Sequence, residues 1–230
     1  MLFENLDRIV FAGDSVTDMD SCAPVAEGPW NCLGHGYVLQ IDALLGACYP
    51  ELNLRVTNSG VNGNTSRDLL ARFDTDVLAL HPQWVSIMIG INDVWRQFDT
   101  PAMTDIQVRT DEYRENLVKM VTALKEQPQL KGIFIIPPLF MEPNPDDFMR
   151  RRTEEYRQIC KETAETYECR FVDVQADVCD YLKSKHAAFI APDRVHPNPV
   201  GNVLITRAFL EAVGFDFGHR AAFRDVYVGK

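Results

Sequence analysis

The chain has 230 residues, 46% apolar and 24% charged, an ordinary globular composition and a length that buries a sizeable core without disulfide or metal staples. Its 23 Lys and Arg against 33 Asp and Glu leave a net charge of −10, which repels phosphate backbones and anionic membrane surfaces and excludes nucleic acid and membrane as expected partners. No apolar run reaches the roughly 18 residues that a bilayer span requires. The start, with Glu4 and Asp7 ahead of Arg8, is unlike a secretory signal, so a cytoplasmic location is expected.

Short β-branched and aromatic runs alternate with segments of helical period. Arg8-Ile-Val-Phe-Ala12 reads as a strand stopped by Gly13. Tyr37 to Leu45 reads as a helix with Val38, Ile41, Leu44 and Leu45 as its apolar residues. Leu54 to Thr57 is a second strand, closed by Asn58-Ser-Gly60. Thr65, with Asp68 in the first turn, caps a helix running through Leu80. Trp84 to Ile89 is a third strand, stopped by Gly90, and the stretch from Trp95 to Asp111 is expected to be irregular. Asp111 to Lys125 is helical, with Leu117, Val121 and Leu124 on one face. Gly132 to Ile136 is a fourth strand, ended by Pro137-Pro138, and an irregular segment follows to Asp147. Phe148 to Tyr167 is a long charged helix, and Arg170 to Val174 a fifth strand. Asn198 then Pro199 opens a final helix, cap followed by first position, that runs to Val213 before Gly214.

Continuous apolar strands suit a sheet covered on both faces. The strand and helix alternation implies an α/β fold with a five-stranded parallel sheet between two helical layers and right-handed crossovers. Without an internal repeat or a Gly/Ser linker, residues 1–230 are read as one domain. The six cysteines, Cys22, Cys32, Cys48, Cys160, Cys169 and Cys179, form no C-x-x-C pair and are expected to be free thiols, mostly in the core.

In open α/β sheets ligands bind beyond the carboxyl ends of the strands, so the residues that follow each strand are decisive. These are Gly13-Asp14-Ser15 after the first, Asn58 to Thr65 after the second, and Gly90-Ile-Asn92-Asp93 after the third, with Asp193-Arg-Val-His196 before the last helix. Together they supply what acyl transfer needs. A serine hydroxyl is a weak nucleophile until a base takes its proton, and a histidine titrates in the range that suits this task. Ser15 is therefore the candidate nucleophile, His196 the base, and Asp193 the carboxylate that orients it across a tight turn. An oxyanion needs fixed donors, and the candidates are the backbone N–H groups of Ser15 and Gly63 and the side-chain amide of Asn92. Taken singly, Ser15 reads as a helix cap, Asn58, Gly60, Gly63 and Asn92 as turn residues, and Asp193 to His196 as a capping cluster; their order and common edge favour catalysis. His35, His81, His186 and His219 lack a partnered motif, and neither a metal-ligand spacing nor a calcium loop is present, so no metal and no cofactor are expected.

The four blocks, F-A-G-D-S-V-T-D around Ser15, N-S-G-V-N-G-N-T around Gly63, I-G-I-N-D around Asn92 and D-R-V-H-P around His196, resemble those of the SGNH, or GDSL-type, hydrolase superfamily over about Ile9 to Phe217. That resemblance implies a three-layer α/β/α sandwich with a flavodoxin-like sheet, a Ser-His-Asp triad and no metal. Val16 stands where leucine is usual. The strings Trp84 to Gln97, G-H-G-Y-V from Gly34 and Met149-Arg-Arg-Arg152 are most similar to intracellular carbohydrate acetylesterases of the acetylxylan esterase type. The resemblance thus implies an acetylated sugar as substrate, with short xylo-oligosaccharides the expected class, and a homo-oligomer. Pro192 departs from a position where those enzymes can carry a large aromatic, which bears on the rim of the site or a subunit contact. Trp95 and Arg96 follow Asn92 and could border the sugar, although Trp95 could equally be core. The rival readings are a lysophospholipase or thioesterase on the same fold and a non-catalytic carbohydrate-binding module.

Overall fold

The computed structural model describes residues 1–22, 25–28, 30 and 32–220. Its strands are β1 (Arg8–Gly13), β2 (Ala26–Glu27), β3 (Arg55–Gly60), β4 (Trp84–Met88), β5 (Gly132–Ile136) and β6 (Arg170–Phe171). They form one sheet in the order β2-β3-β1-β4-β5-β6. From β3 to β6 every pairing is parallel. The expected parallel sheet of five strands is therefore present, with a correction at its edge: β2 adds a sixth strand, antiparallel to β3. Two residues carry no readable period. This strand is held by distant partners instead, since Glu27 takes a two-point hydrogen bond from the Arg55 guanidinium at 2.8 and 3.0 Å.

Side chains alternate across a strand, and here both faces are apolar. Ile9, Phe11, Trp84, Met88, Phe134 and Ile136 point to one layer, where they meet α2 (Tyr37–Cys48), α8 (Val174–Leu182) and α9 (Pro199–Ala212). Val10, Ala12, Val85, Ile87, Ile133 and Ile135 point to the other, against α3 (Ser66–Ala71), α4 (Phe73–Asp76), α6 (Thr110–Lys125) and α7 (Phe148–Thr166). Each fully buried aliphatic or aromatic side chain contributes about 1.5–3 kcal/mol, so the sheet acts as a rigid shelf for whatever projects from its edge.

The helical boundaries depart from expectation in four places. The segment opened by Thr65 does start with a capping box, Thr65 and Asp68 satisfying each other's backbone N–H. It then breaks at Arg72, between α3 and α4, and ends in a 3₁₀ turn at Leu78–Leu80. The stretch read as irregular from Trp95 begins inside α5 (Ile91–Asp99). The last strand is shorter than expected because α8 takes over at Val174. A single helical turn, α1 (Ser15–Asp18), follows β1 and is capped by the Asp14 side chain on Val16 N–H at 3.0 Å. The cysteines are all free, but Cys160 alone is buried; Cys22 is exposed and the other four are half-buried, so the expectation of mainly core thiols is corrected.

Two glycines on this scaffold should respond in opposite ways to alanine. At Gly46, exposed in α2, an added Cβ meets nothing within 4 Å, so Gly46→Ala should stabilise by about 0.5–1 kcal/mol through the unfolded chain. At Gly60 the same atom would lie 2.2 Å from the backbone N of Asp18, and Gly60→Ala should cost about 1–3 kcal/mol or more. Thermal unfolding of the two variants checks this; equal melting temperatures would contradict it.

Candidate active site

The strand order reverses at β1, which has β3 on one side and β4 on the other, and such a switch point opens a crevice beyond the strand ends. The three ends are level there, because Gly13 is in register with both Gly60 and Met88. Ser15 comes two residues beyond Gly13, Gly63 three beyond Gly60, and Asn92 four beyond Met88. The sheet register alone thus gathers three of the expected site residues.

Ser15 opens α1 and is 8% exposed. Its Oγ lies 2.9 Å from His196 Nε2. On the other side of the ring, His196 Nδ1 lies 2.6 Å from Asp193 Oδ2. An Nδ1–H donated to the carboxylate leaves Nε2 free to accept the serine proton. The second oxygen of Asp193 accepts the N–H groups of Val195 and His196 at 2.9 and 2.8 Å. Partial burial raises the Asp193 pKa, but the hydrogen bonds from the His196 ring and from these two N–H groups outweigh it and hold the group below the usual carboxylate range. Asp193 therefore stays ionised where an imidazolium beside it would need stabilising.

The Asp193–His196 turn is shaped by Arg194, which takes a left-handed backbone conformation at φ 66°. It is pinned from outside the turn. Its carbonyl accepts Met141 N–H at 2.8 Å. Its guanidinium pairs with Glu142 at 2.6 Å and lies 5.0 Å over the Phe140 ring. Asn198 then caps α9 through Val200 and Gly201, with Pro199 at the first position.

The donor side is built by loop geometry. Val61 to Asn64 form a turn closed by Asn64 N–H on Val61 carbonyl at 3.2 Å, and Gly63 has φ +80°, the conformation that the third position of a type II turn demands. Ser15 N–H belongs to the first turn of a helix, where no intrahelical acceptor exists. Asn92, 3% exposed, donates through Nδ2 to Asn64 carbonyl at 3.0 Å, which orients the amide and leaves its second hydrogen for a substrate oxygen.

Three residues with no positioning role legible in the sequence hold this arrangement. Asn58 donates to the carbonyls of Thr17 and Leu33 at 2.7 and 2.9 Å and accepts Gly60 N–H. Arg72 donates to Gly13 carbonyl, Ser59 carbonyl and Asn64 Oδ1 at 3.0, 2.9 and 2.7 Å, tying the serine strand to the Gly63 turn. It sits at the break between α3 and α4, where helical continuation yields to these contacts. Arg194 is the third. Of the flagged pair, Trp95 is half-buried with its ring 5.8 Å from that of His196, whereas Arg96 turns along α5 to Asp99 at 2.5 Å. The other histidines lie elsewhere: His35 faces Asp20, His219 stacks on Tyr49, His186 caps a 3₁₀ turn and His81 ends another. Among the described residues no three His, Cys, Asp or Glu side chains converge as a metal-ligand set.

Two buried carboxyls lie beneath the site. Burial pushes Asp14 up to about 7, and the charge of Asp93 adds to that rise, against the Val16 N–H that Asp14 accepts. Burial likewise pushes Asp93 up to about 7, against hydrogen bonds from Ser66 Oγ and N–H. Asp93 thereby clamps the start of α5 to the start of α3, next to Asn92.

The chain has relatives among known proteins. The pattern of the GDSL-like Lipase/Acylhydrolase family matches residues 11–204. An acetylxylan esterase of Geobacillus stearothermophilus is 46% identical over 211 residues, covering 92% of this chain and 95% of that protein. The crystal structure of Axe2, an acetylxylan esterase from the same organism, superposes with a TM-score of 0.92 at 45% identity over 96% of this chain and 100% of its own. LAE5, an alpha/beta hydrolase from the metagenome of Lake Arreo, Spain, gives a TM-score of 0.90 at 44% identity over 93% and 98% of the two chains.

The buried Asp93 makes a pH-dependent prediction. The carboxyl ionises near 3.8 in an ordinary setting and near 7 in the fold. Between those values the unfolded chain is charged there and the fold is not, so this group's contribution to stability falls as pH rises from about 4 to about 7 and is then constant. Asparagine keeps an acceptor for Ser66 N–H and cannot ionise. The stability of Asp93→Asn relative to the parent should rise between pH 4.5 and 7.5 by about 3 kcal/mol. Urea unfolding at both pH values tests this, and a pH-independent difference would contradict it.

Proposed function

We propose, for a chain that belongs to the GDSL-like lipase/acylhydrolase family, that the Ser15 site removes O-acetyl groups from carbohydrates, with acetylated xylo-oligosaccharides as the substrate class. The observation that carries this reading is the unbroken relay from Ser15 Oγ to His196 at 2.9 Å and from His196 to Asp193 at 2.6 Å. The sugar is supported by likeness to an acetylxylan esterase over nearly the whole chain.

In this reading Ser15 attacks the acetyl carbonyl carbon while His196 Nε2 takes its proton. The carbonyl oxygen becomes an oxyanion held by the N–H groups of Ser15 and Gly63 and by the Asn92 amide. Collapse expels the sugar hydroxyl, which receives the proton from His196, and leaves an acetyl ester on Ser15. A water that gives its proton to His196 then attacks that ester, and acetate departs as the proton returns to Ser15. Asp193 stabilises the imidazolium in both halves. No step draws on a cofactor. Six unpaired cysteines suit a reducing compartment and support a cytoplasmic enzyme. An apolar groove between α2 and α9, lined by Leu44, Val203 and Phe217, supports a homo-oligomer.

Kinetics test the roles. Ser15→Ala and His196→Ala should each abolish turnover and retain the fold, and the double variant should be little worse than either, because the members act as a unit. Asn92→Ala should lower kcat by about 10²–10³ with little change in KM; a raised KM at constant kcat would make it a binding residue instead. With a common leaving group, kcat/KM should be highest for acetyl, lower for butyryl and near background for octanoyl. A long acyl channel would add about 0.8 kcal/mol per buried methylene and reverse that order, so a maximum at six or more carbons would overturn the acetylesterase reading.

A further inference from the structure

Beside the relay lies a cleft of about 360 Å³, within the range of small-molecule sites. It is built from three separate segments: α5, the loop after β5 with the start of α7, and the turn that carries Asp193 and His196. Phe140, buried to 2% exposure, lines it, with the Arg194 guanidinium 5.0 Å over its ring. Trp95 lines it between the cleft and the His196 ring, 5.8 Å away. Phe98 and Phe148 also line it, and both are open to solvent at 41% and 74% exposure. Asp99 and Asp147 are placed among them. One guanidinium, that of Arg151, lies 5.0 Å over Phe148, yet most of the ring remains uncovered.

Exposed aromatic rings beside carboxylates and a guanidinium have a specific chemical complement. An acyl chain would strip water from the Asp99–Arg96 and Arg194–Glu142 ion pairs and offer no hydrogen bond in return, at a cost. A nucleotide phosphate would meet two carboxylates. A pyranose presents apolar C–H faces that cover an aromatic ring and a rim of hydroxyls that bond carboxylate and guanidinium together. The cleft adjoins the relay through Trp95 and Arg194, so a sugar in it would be a near neighbour of one whose acetyl group faces Ser15.

We propose that this cleft is a second sugar subsite, which holds the pyranose next to the acetylated one and makes the enzyme prefer acetylated oligosaccharides to acetylated monosaccharides. The inference rests on the deacetylation reading above. Phe148 and Phe98 supply the stacking faces, Asp99, Asp147 and Arg194 the hydroxyl contacts, and Trp95 the partition between the two rings. The contacts are made equally in ground and transition states, so they act on KM.

The test measures acetate release from acetylated xylotriose and from acetylated methyl xyloside, with 4-nitrophenyl acetate as a sugar-free control. The parent should favour the xylotriose ester over the xyloside ester. Phe148→Ala should lower that preference about tenfold through KM, Phe98→Ala should lower it in the same direction, and Phe148→Tyr, which keeps the ring, should restore it. A loss in Phe148→Ala that is equal for all three substrates would overturn the subsite while leaving deacetylation intact, as would a change in particle size by gel filtration without a change in preference, since the face would then join copies of the chain. If the parent cleaves 4-nitrophenyl acetate and releases no acetate from either sugar, the deacetylation reading and the subsite both fall.

Discussion

The close approach of two backbones, at Gly60 and at Thr17-Asp18, is the constraint on which the rest of the site depends. Any side chain at Gly60 would occupy the space of the Asp18 backbone. With hydrogen there instead, α1 lies against the end of β3, and Ser15 is held over the crevice where the strand order reverses. Asn58 completes the contact by bonding the carbonyls of Thr17, Asp18 and Leu33. The Thr17 and Asp18 carbonyls belong to the end of α1, which is too short to satisfy its own polar groups. A nucleophile on a one-turn helix would otherwise fray. The buried amide substitutes for helical length.

Charge under the site follows the same logic. Asp14 and Asp93 are buried, and each accepts backbone N–H groups at a helix start, where the dipole favours a negative group. Burial nevertheless raises both into the neutral range. The exposed Asp193, bonded to the His196 ring and two N–H groups, moves the other way. Three aspartates thus separate by environment: Asp14 caps the serine's helix, Asp93 clamps α5 to the start of α3, and Asp193 is kept ionised beside the base.

The relay also ties the reaction to the wall of the cleft. Arg194 occupies a left-handed conformation between Asp193 and His196, which carries a modest steric cost for a residue with a Cβ. Glu142 and Phe140 hold its side chain. The same residue therefore shapes the turn that aims the carboxylate and lines the cleft in which we place a second sugar. Occupancy of the cleft and alignment of the base share one side chain.

How much of this was legible in the sequence depends on how local each cause is. Among the five parallel strands β1, β4 and β5 were readable because each is a largely apolar run whose burial needs no partner of known identity, and the Thr65 and Asn198 caps because a cap is made within three residues. Ser15, Gly63, Asn92, Asp193 and His196 could be nominated because each follows a strand or precedes a capped helix. Sequence alone did not reveal what depends on contacts across the chain. β2 exists through Arg55 and Glu27, 28 residues apart. The helix after Thr65 breaks at Arg72, whose guanidinium reaches Gly13, 59 residues away. Trp95 could be core or rim until α5 turned its ring toward His196. The pattern of apolar and punctuating residues determined which elements form and in what order. Only tertiary packing decided which side chains meet, because hydrogen bonds and steric fits between distant segments leave no period in the chain.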